Sequence, residues 1–126
     1  MPHFLTLDDV LETHTFQIET YGGSAGVRDL GLLESALAQP ESGFGDQYLH
    51  VDIFEMASAY LYHIVMNHPF IDGNKRVGLE AALIFLEIHN VAIEATDEEL
   101  VELVLGTTSG KMHKKEIASF FRTRSE

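Results

Sequence analysis

Two neighbouring segments of this chain are apolar on more than one helical face, and that governs what it can fold into. Over 53–65 the apolar positions include Ile53, Met56, Tyr60, Leu61, Ile64 and Val65, and over 77–88 they include Leu79, Ala82, Leu83, Phe85 and Leu86. A helix that is apolar nearly all round has to lie inside a protein, so the chain must bury two adjacent helices joined by a short turn. Asp52 with Glu55 makes a capping-box-like start to the first of them.

Helical spacing continues on both sides. Thr6 with Asp9 starts a first helix that Gly22-Gly23 ends, and Asp29 caps a short second helix that stops before Pro40. The stretch 41–50 reads as an irregular, mobile connection. After the central pair, Asn90 ends a helix and 91–93 form a short extended piece. Thr96 with Glu99 caps a fifth helix, Gly106 to Gly110 breaks the chain, and Ile117, Phe120 and Phe121 mark a last amphipathic helix. No run alternates with period two for long enough to build a sheet, and no repeat or linker divides the chain. The expectation is an all-α single domain over 1–126 with about six helices.

Among 126 residues, 20 are acidic and 8 basic, for a formal charge of −12. Such a chain repels nucleic acid and anionic lipid at long range, so neither is an expected partner. Zero cysteines exclude disulfides and thiolate metal sites and fit a reducing cytoplasm. The start of the chain lacks the cationic and apolar regions of a signal peptide. Its longest apolar run, Ala81 to Leu86, falls far below the roughly 20 residues of a membrane span. A cytoplasmic, soluble protein is expected. Five of the eight cations lie between Lys111 and Arg124, where they read as the solvated face of the last helix.

The turn between the central helices reads His68-Pro-Phe-Ile-Asp-Gly-Asn-Lys-Arg76. Histidine ordinarily titrates near pH 6.5, which leaves His68 free to take a proton from a hydroxyl at neutral pH. Pro69 restricts His68 to extended backbone, and Phe70 anchors the turn in the core. Asp72 is a hard oxygen ligand of the kind Mg²⁺ takes. Gly73 and Asn74 lead into the next helix, whose free N–H groups and dipole favour an anion. Lys75 and Arg76 add a point charge and a bidentate phosphate grip. Nine residues thus gather the parts of phosphate chemistry.

This stretch resembles the signature of the Fic/Doc superfamily, His-x-Phe-x-Asp/Glu-Gly-Asn-x-Arg, and Lys75 matches its death-on-curing (Doc) toxin branch. Chain length and Tyr21-Gly22-Gly23 agree with that branch. The resemblance implies that His68 is the general base, that Asp72 holds Mg²⁺, and that Gly73, Asn74, Lys75 and Arg76 bind the phosphates of ATP or another nucleoside triphosphate. It also implies that Lys75 and Arg76 assist catalysis, and it points to elongation factor Tu as the protein acceptor.

In the adenylyl-transferring branch, a second Gly stands at the position of Lys75 and a second Arg at that of Leu79. Their replacement here leaves the diphosphate clamp incomplete and implies phosphate transfer, with AMP transfer to a protein as the alternative. A catalytically inactive antitoxin-binding module is the rival from another class. The self-inhibitory Ser/Thr-x-x-x-Glu-Gly/Asn helix of the family is also missing, because the nearest match, Thr15 to Glu19, ends in Thr20. Inhibition in trans by a small separate antitoxin is the implied control.

Overall fold

The computed structural model describes residues 2–125. Its elements are α1 (Leu7–Tyr21), α2 (Leu30–Ala38), β1 (Gly43–Phe44), β2 (Gln47–Tyr48), α3 (Ile53–Asn67), α4 (Asn74–Ile88), α5 (Asp97–Thr108) and α6 (Lys114–Thr123). The fold is all-α apart from one two-stranded ladder. Among the described residues no helix is long and apolar enough to cross a membrane.

Helix α3 is the hub, packing against α2, α4, α5 and α6. Tyr60, Leu61 and Ile64 on α3 are fully buried, as are Val77, Ala81 and Phe85 on α4. The two backbones approach closely at Gly78: a Cβ there would lie 2.8 Å from Val65 Cγ2 and 3.2 Å from the Leu61 carbonyl oxygen. Both ends of the intervening turn are therefore anchored in the best-packed part of the protein, which suits a site that must hold side chains to tight tolerance.

The local start signals operate as their chemistry dictates. Thr6/Asp9 and Thr96/Glu99 form reciprocal capping boxes, and the Asp29 and Asp52 side chains accept the N–H groups of Leu32 and Glu55. Three expectations about these elements need correction. The stretch 41–50 is not wholly irregular, because Gly43 pairs with Tyr48 and Phe44 with Gln47 in an antiparallel ladder. Gly106 does not break the chain: α5 runs through it to Thr108, and the Met112 side chain occupies the space beside its missing Cβ. Helix α4 begins at Asn74 rather than Val77.

The C-terminal cations are not merely solvated. Arg122 pairs with Asp52 at 2.9 Å, and Arg124 pairs with Glu99. Lys114 Nζ donates to His63 Nε2 at 3.0 Å and faces His50 Nε2 at 3.4 Å. These contacts tie α6 to the start of α3, the start of α5 and the middle of α3. Of the extended piece expected at 91–93, only Ile93 pairs, in an isolated bridge to Ser125.

Candidate active site

Helix α3 ends at His68, whose N–H still reaches the Ile64 carbonyl while its own backbone turns left-handed, at φ 52° and ψ 52°. That overturns the extended conformation expected before Pro69. The preference of a residue preceding proline is overridden by a set of bonds from a distant segment. Arg28 Nε donates to the His68 carbonyl at 2.8 Å and its Nη2 to the Asn67 carbonyl at 3.1 Å. The Arg28 and Asp29 N–H groups both donate to the Pro69 carbonyl, the Ile71 N–H donates to the Gly26 carbonyl, and Val27 bridges Phe70.

Behind the turn, Phe70 is fully buried. The Asn74 side chain closes a ring on it, accepting from the Phe70 N–H at 2.8 Å and donating to its carbonyl at 3.0 Å. Asn74 is itself buried, so its amide holds the turn together, and toward the cleft it offers its backbone N–H. The His14 ring of α1 stacks on Phe70 with centroids 3.9 Å apart and planes 7° off parallel. Its Nε2 donates to the Asp72 carbonyl at 2.9 Å.

Asp72 projects into solvent. Its Oδ2 accepts the Ser24 N–H at 3.2 Å and its Oδ1 the Gly73 N–H at 2.8 Å. Those two backbone bonds, more than the nearby Arg76 and His14, hold its carboxyl below the usual carboxylate range. The group is thus an ionised hard oxygen with lone pairs to spare. Among the described residues no three His, Cys, Asp or Glu side chains converge as a self-contained metal cage. A lone carboxylate fits Mg²⁺, which keeps several waters and takes its other ligands from substrate phosphates.

Gly73 starts α4 in a left-handed conformation at φ 82°, a position that suits glycine and receives no side-chain cap. The N–H groups of Asn74, Lys75 and Arg76 in the first turn have no partner within the helix. They open onto a cleft of about 550 Å³, lined by all six residues singled out in the sequence: His68, Asp72, Gly73, Asn74, Lys75 and Arg76. Apolar side chains line the same cleft, Leu79 of α4 and Leu100, Val104 and Leu105 of α5. The Arg76 guanidinium rests over the Tyr21 ring, 5.0 Å from its centroid. A cleft that combines charged and apolar lining can take an anion joined to a flat or apolar group.

Three contributors were not visible in the sequence: His14, Arg28 and Ser24 act on residues about 40 to 60 positions away, through contacts that leave no local pattern. Thr15 and Glu19, the nearest match to an inhibitory helix, do not line the cleft.

The model of the Fic/DOC family matches residues 4–86. Among curated proteins, the chain is 29% identical over 115 residues to "Protein kinase doc" of Escherichia phage P1, covering 91% of this chain and 90% of the relative. It is 35% identical over 95 residues to "Toxin Doc" of Mycolicibacterium smegmatis, covering 75% of this chain and 71% of that relative. The matched span holds the whole turn, α3 and all but the last two residues of α4, and with two Doc proteins among its relatives the chain belongs to the Fic/DOC family, in its Doc branch.

Proposed function

We propose that this protein is a Doc-type toxin that moves the γ-phosphate of ATP, or of another nucleoside triphosphate, to a hydroxyl of a protein. The observation that carries the reading is the single cleft in which a histidine, an ionised carboxylate and an open helix start flanked by Lys75 and Arg76 meet. The relative named as a protein kinase supports this reaction class, and the one named as a toxin supports the toxin assignment.

His68 takes the proton of the acceptor hydroxyl as its oxygen bonds to the γ-phosphorus. The bond from that phosphorus to the β–γ bridging oxygen breaks, and the nucleoside diphosphate leaves with the electron pair. The first N–H groups of α4, with Lys75 and Arg76, hold the phosphate oxygens and meet the charge that spreads over them. Asp72 would hold Mg²⁺, which when bound neutralises triphosphate charge. Leu79 supports γ- over α-transfer, because it brings no cation to the position where the adenylyl-transferring branch has its second Arg.

Elongation factor Tu is the acceptor to which the family resemblance points, with arrest of translation in the cytoplasm as the result. A small antitoxin acting in trans is the proposed control. Incubation with γ- or α-labelled ATP, Mg²⁺ and bacterial lysate tests the reading. Transfer of γ-label alone is expected, and His68→Ala should lower it by about 10² to 10⁴-fold. Predominant α-label would establish AMP transfer instead, and no label with either would leave a binding module.

A further inference from the structure

Arg28 is exposed, carries no carboxylate partner among the described residues, and sends two of its donors to consecutive backbone carbonyls of one short turn. The identity of those carbonyls matters. The peptide plane that contains the Asn67 carbonyl and the plane that contains the His68 carbonyl meet at the His68 Cα. Their relative orientation is the φ and ψ of His68, and with it the direction of the Cβ and the ring.

That orientation is unfavourable when left to itself. A residue bearing a Cβ avoids the left-handed region, and one before proline avoids helical backbone as well. At φ 52° and ψ 52°, His68 meets both penalties. Water could satisfy the exposed carbonyls equally well as acceptors, but it could not fix the angle between them. A guanidinium is planar and presents donors in a rigid fork, so bonding both oxygens fixes that angle. The Pro69 carbonyl, next along the chain, is held by the backbone N–H groups of Arg28 and Asp29. Three successive carbonyls, at 67, 68 and 69, are thus gripped by two adjacent residues. Positive charge at the C-terminal end of α3 also suits the helix dipole.

We infer that Arg28 is a positioning residue: its fork locks the two peptide planes flanking His68 and so aims the imidazole into the cleft. The role rests on the reading of His68 as the proton acceptor, but the lock can be tested without turnover. Arg28→Ala removes the fork, and Arg28→Lys keeps the charge while offering a single point donor.

NMR couplings and ¹³C shifts of His68 in the full chain report its backbone conformation, and γ-phosphate transfer reports its use. In Arg28→Ala, His68 should leave the left-handed region and kcat should fall about 10²-fold, with KM for ATP unchanged. Arg28→Lys should keep the wild-type melting temperature and still lose most of kcat, a separation that a merely stabilising arginine would not give. Should Arg28→Ala fail to fold, Arg28→Lys carries both measurements. Retention of the left-handed His68 in the folded variants would overturn the inference whatever their activity, as would wild-type kcat in a variant whose His68 has moved. A wild-type protein that transfers no phosphate would refute the kinase reading alone, leaving the NMR comparison to decide the lock.

Discussion

The His14 imidazole lies flat on the Phe70 ring, 3.9 Å between centroids, and its Nε2 bonds the Asp72 carbonyl at 2.9 Å. One side chain from α1 therefore supports both the buried anchor of the turn and the backbone of the residue proposed to hold Mg²⁺. Phe70→Ala should cost about 3 to 5 kcal/mol through the cavity it leaves. His14→Phe keeps the stack and loses the bond, for about 1 kcal/mol. Denaturant titration should give these values, and activity should fall in both as Asp72 loses its support. Lost activity in Phe70→Ala at an unchanged melting temperature would mean that Phe70 contacts substrate.

Replacing Asp72 with Asn removes the charge while leaving an oxygen for one of the two N–H groups that now bond it. The Mg²⁺ concentration needed for half-maximal transfer should rise well above that of the wild type, with the fold intact by circular dichroism. An unchanged Mg²⁺ titration would remove Asp72 from the metal site.

Acid should loosen the protein through the cluster of His50, His63 and Lys114. Burial, then the Lys114 charge, depress both histidines, and His63 is pushed down to about 4. Glu55 pulls His50 the other way without reversing its shift. Among the described residues His50 Nδ1 has no partner at ordinary hydrogen-bond geometry, and the Gln39 backbone beside it favours the charged ring without reversing the shift. The folded state thus keeps neutral rings that the unfolded chain protonates near pH 6.5. Stability is full above that pH and is lost as pH falls from 6.5 toward 4. At 1.36 kcal/mol per unit the shift corresponds to roughly 3 kcal/mol by pH 4 and about 2 kcal/mol by pH 5, which solvent screening of the half-buried ring reduces to about 1 kcal/mol. Chemical denaturation at pH 7 and pH 5 should show the loss, and His63→Gln should diminish it.

Helix–helix contact at Gly78 should be intolerant of even a methyl group. A Cβ there meets Val65 Cγ2, whose branched side chain is stiff, and the Leu61 backbone oxygen. Gly78→Ala should destabilise by about 1 to 3 kcal/mol despite alanine's better helix propensity. A gain in melting temperature would show that α3 and α4 can separate freely.

An antitoxin that blocks the cleft would compete with nucleotide if it offers Arg76 a carboxylate in place of phosphate. Arg76 rests its face on Tyr21, which leaves its in-plane N–H donors for either ligand. Adding the antitoxin should raise the apparent Kd for ATP in calorimetry, and Arg76→Ala should weaken both ligands together. Unaltered ATP affinity in the complex would place inhibition on the protein-substrate surface instead.

Local chemistry made much of this fold legible. Thr6, Asp29, Asp52 and Thr96 announce their helices because a cap needs only residues three positions apart, and Phe70 declares its burial by lying between two apolar helices. The hairpin at 43–48 escaped because two residues per strand leave no alternation to read. Gly106 misled because its reason for being glycine is the Met112 side chain folded against it. Within the site, the nine-residue turn holds every candidate, yet the His68 backbone is left-handed rather than extended. The rule for residues before proline is local, and Arg28, 40 positions away, overrides it.

The apolar lining of the cleft has a consequence for the order of events during synthesis. Helix α5 supplies much of that lining, and its Glu99 is pinned by Arg124, while Ile93 just ahead of it bridges Ser125. A nascent chain that has emerged only through Arg76 carries the whole turn from His68 without Leu79 or the α5 residues that line the same cleft. The contacts that hold the start of α5 from the far end of the chain, Arg124 to Glu99 and Ser125 to Ile93, can form only after those last residues have been made.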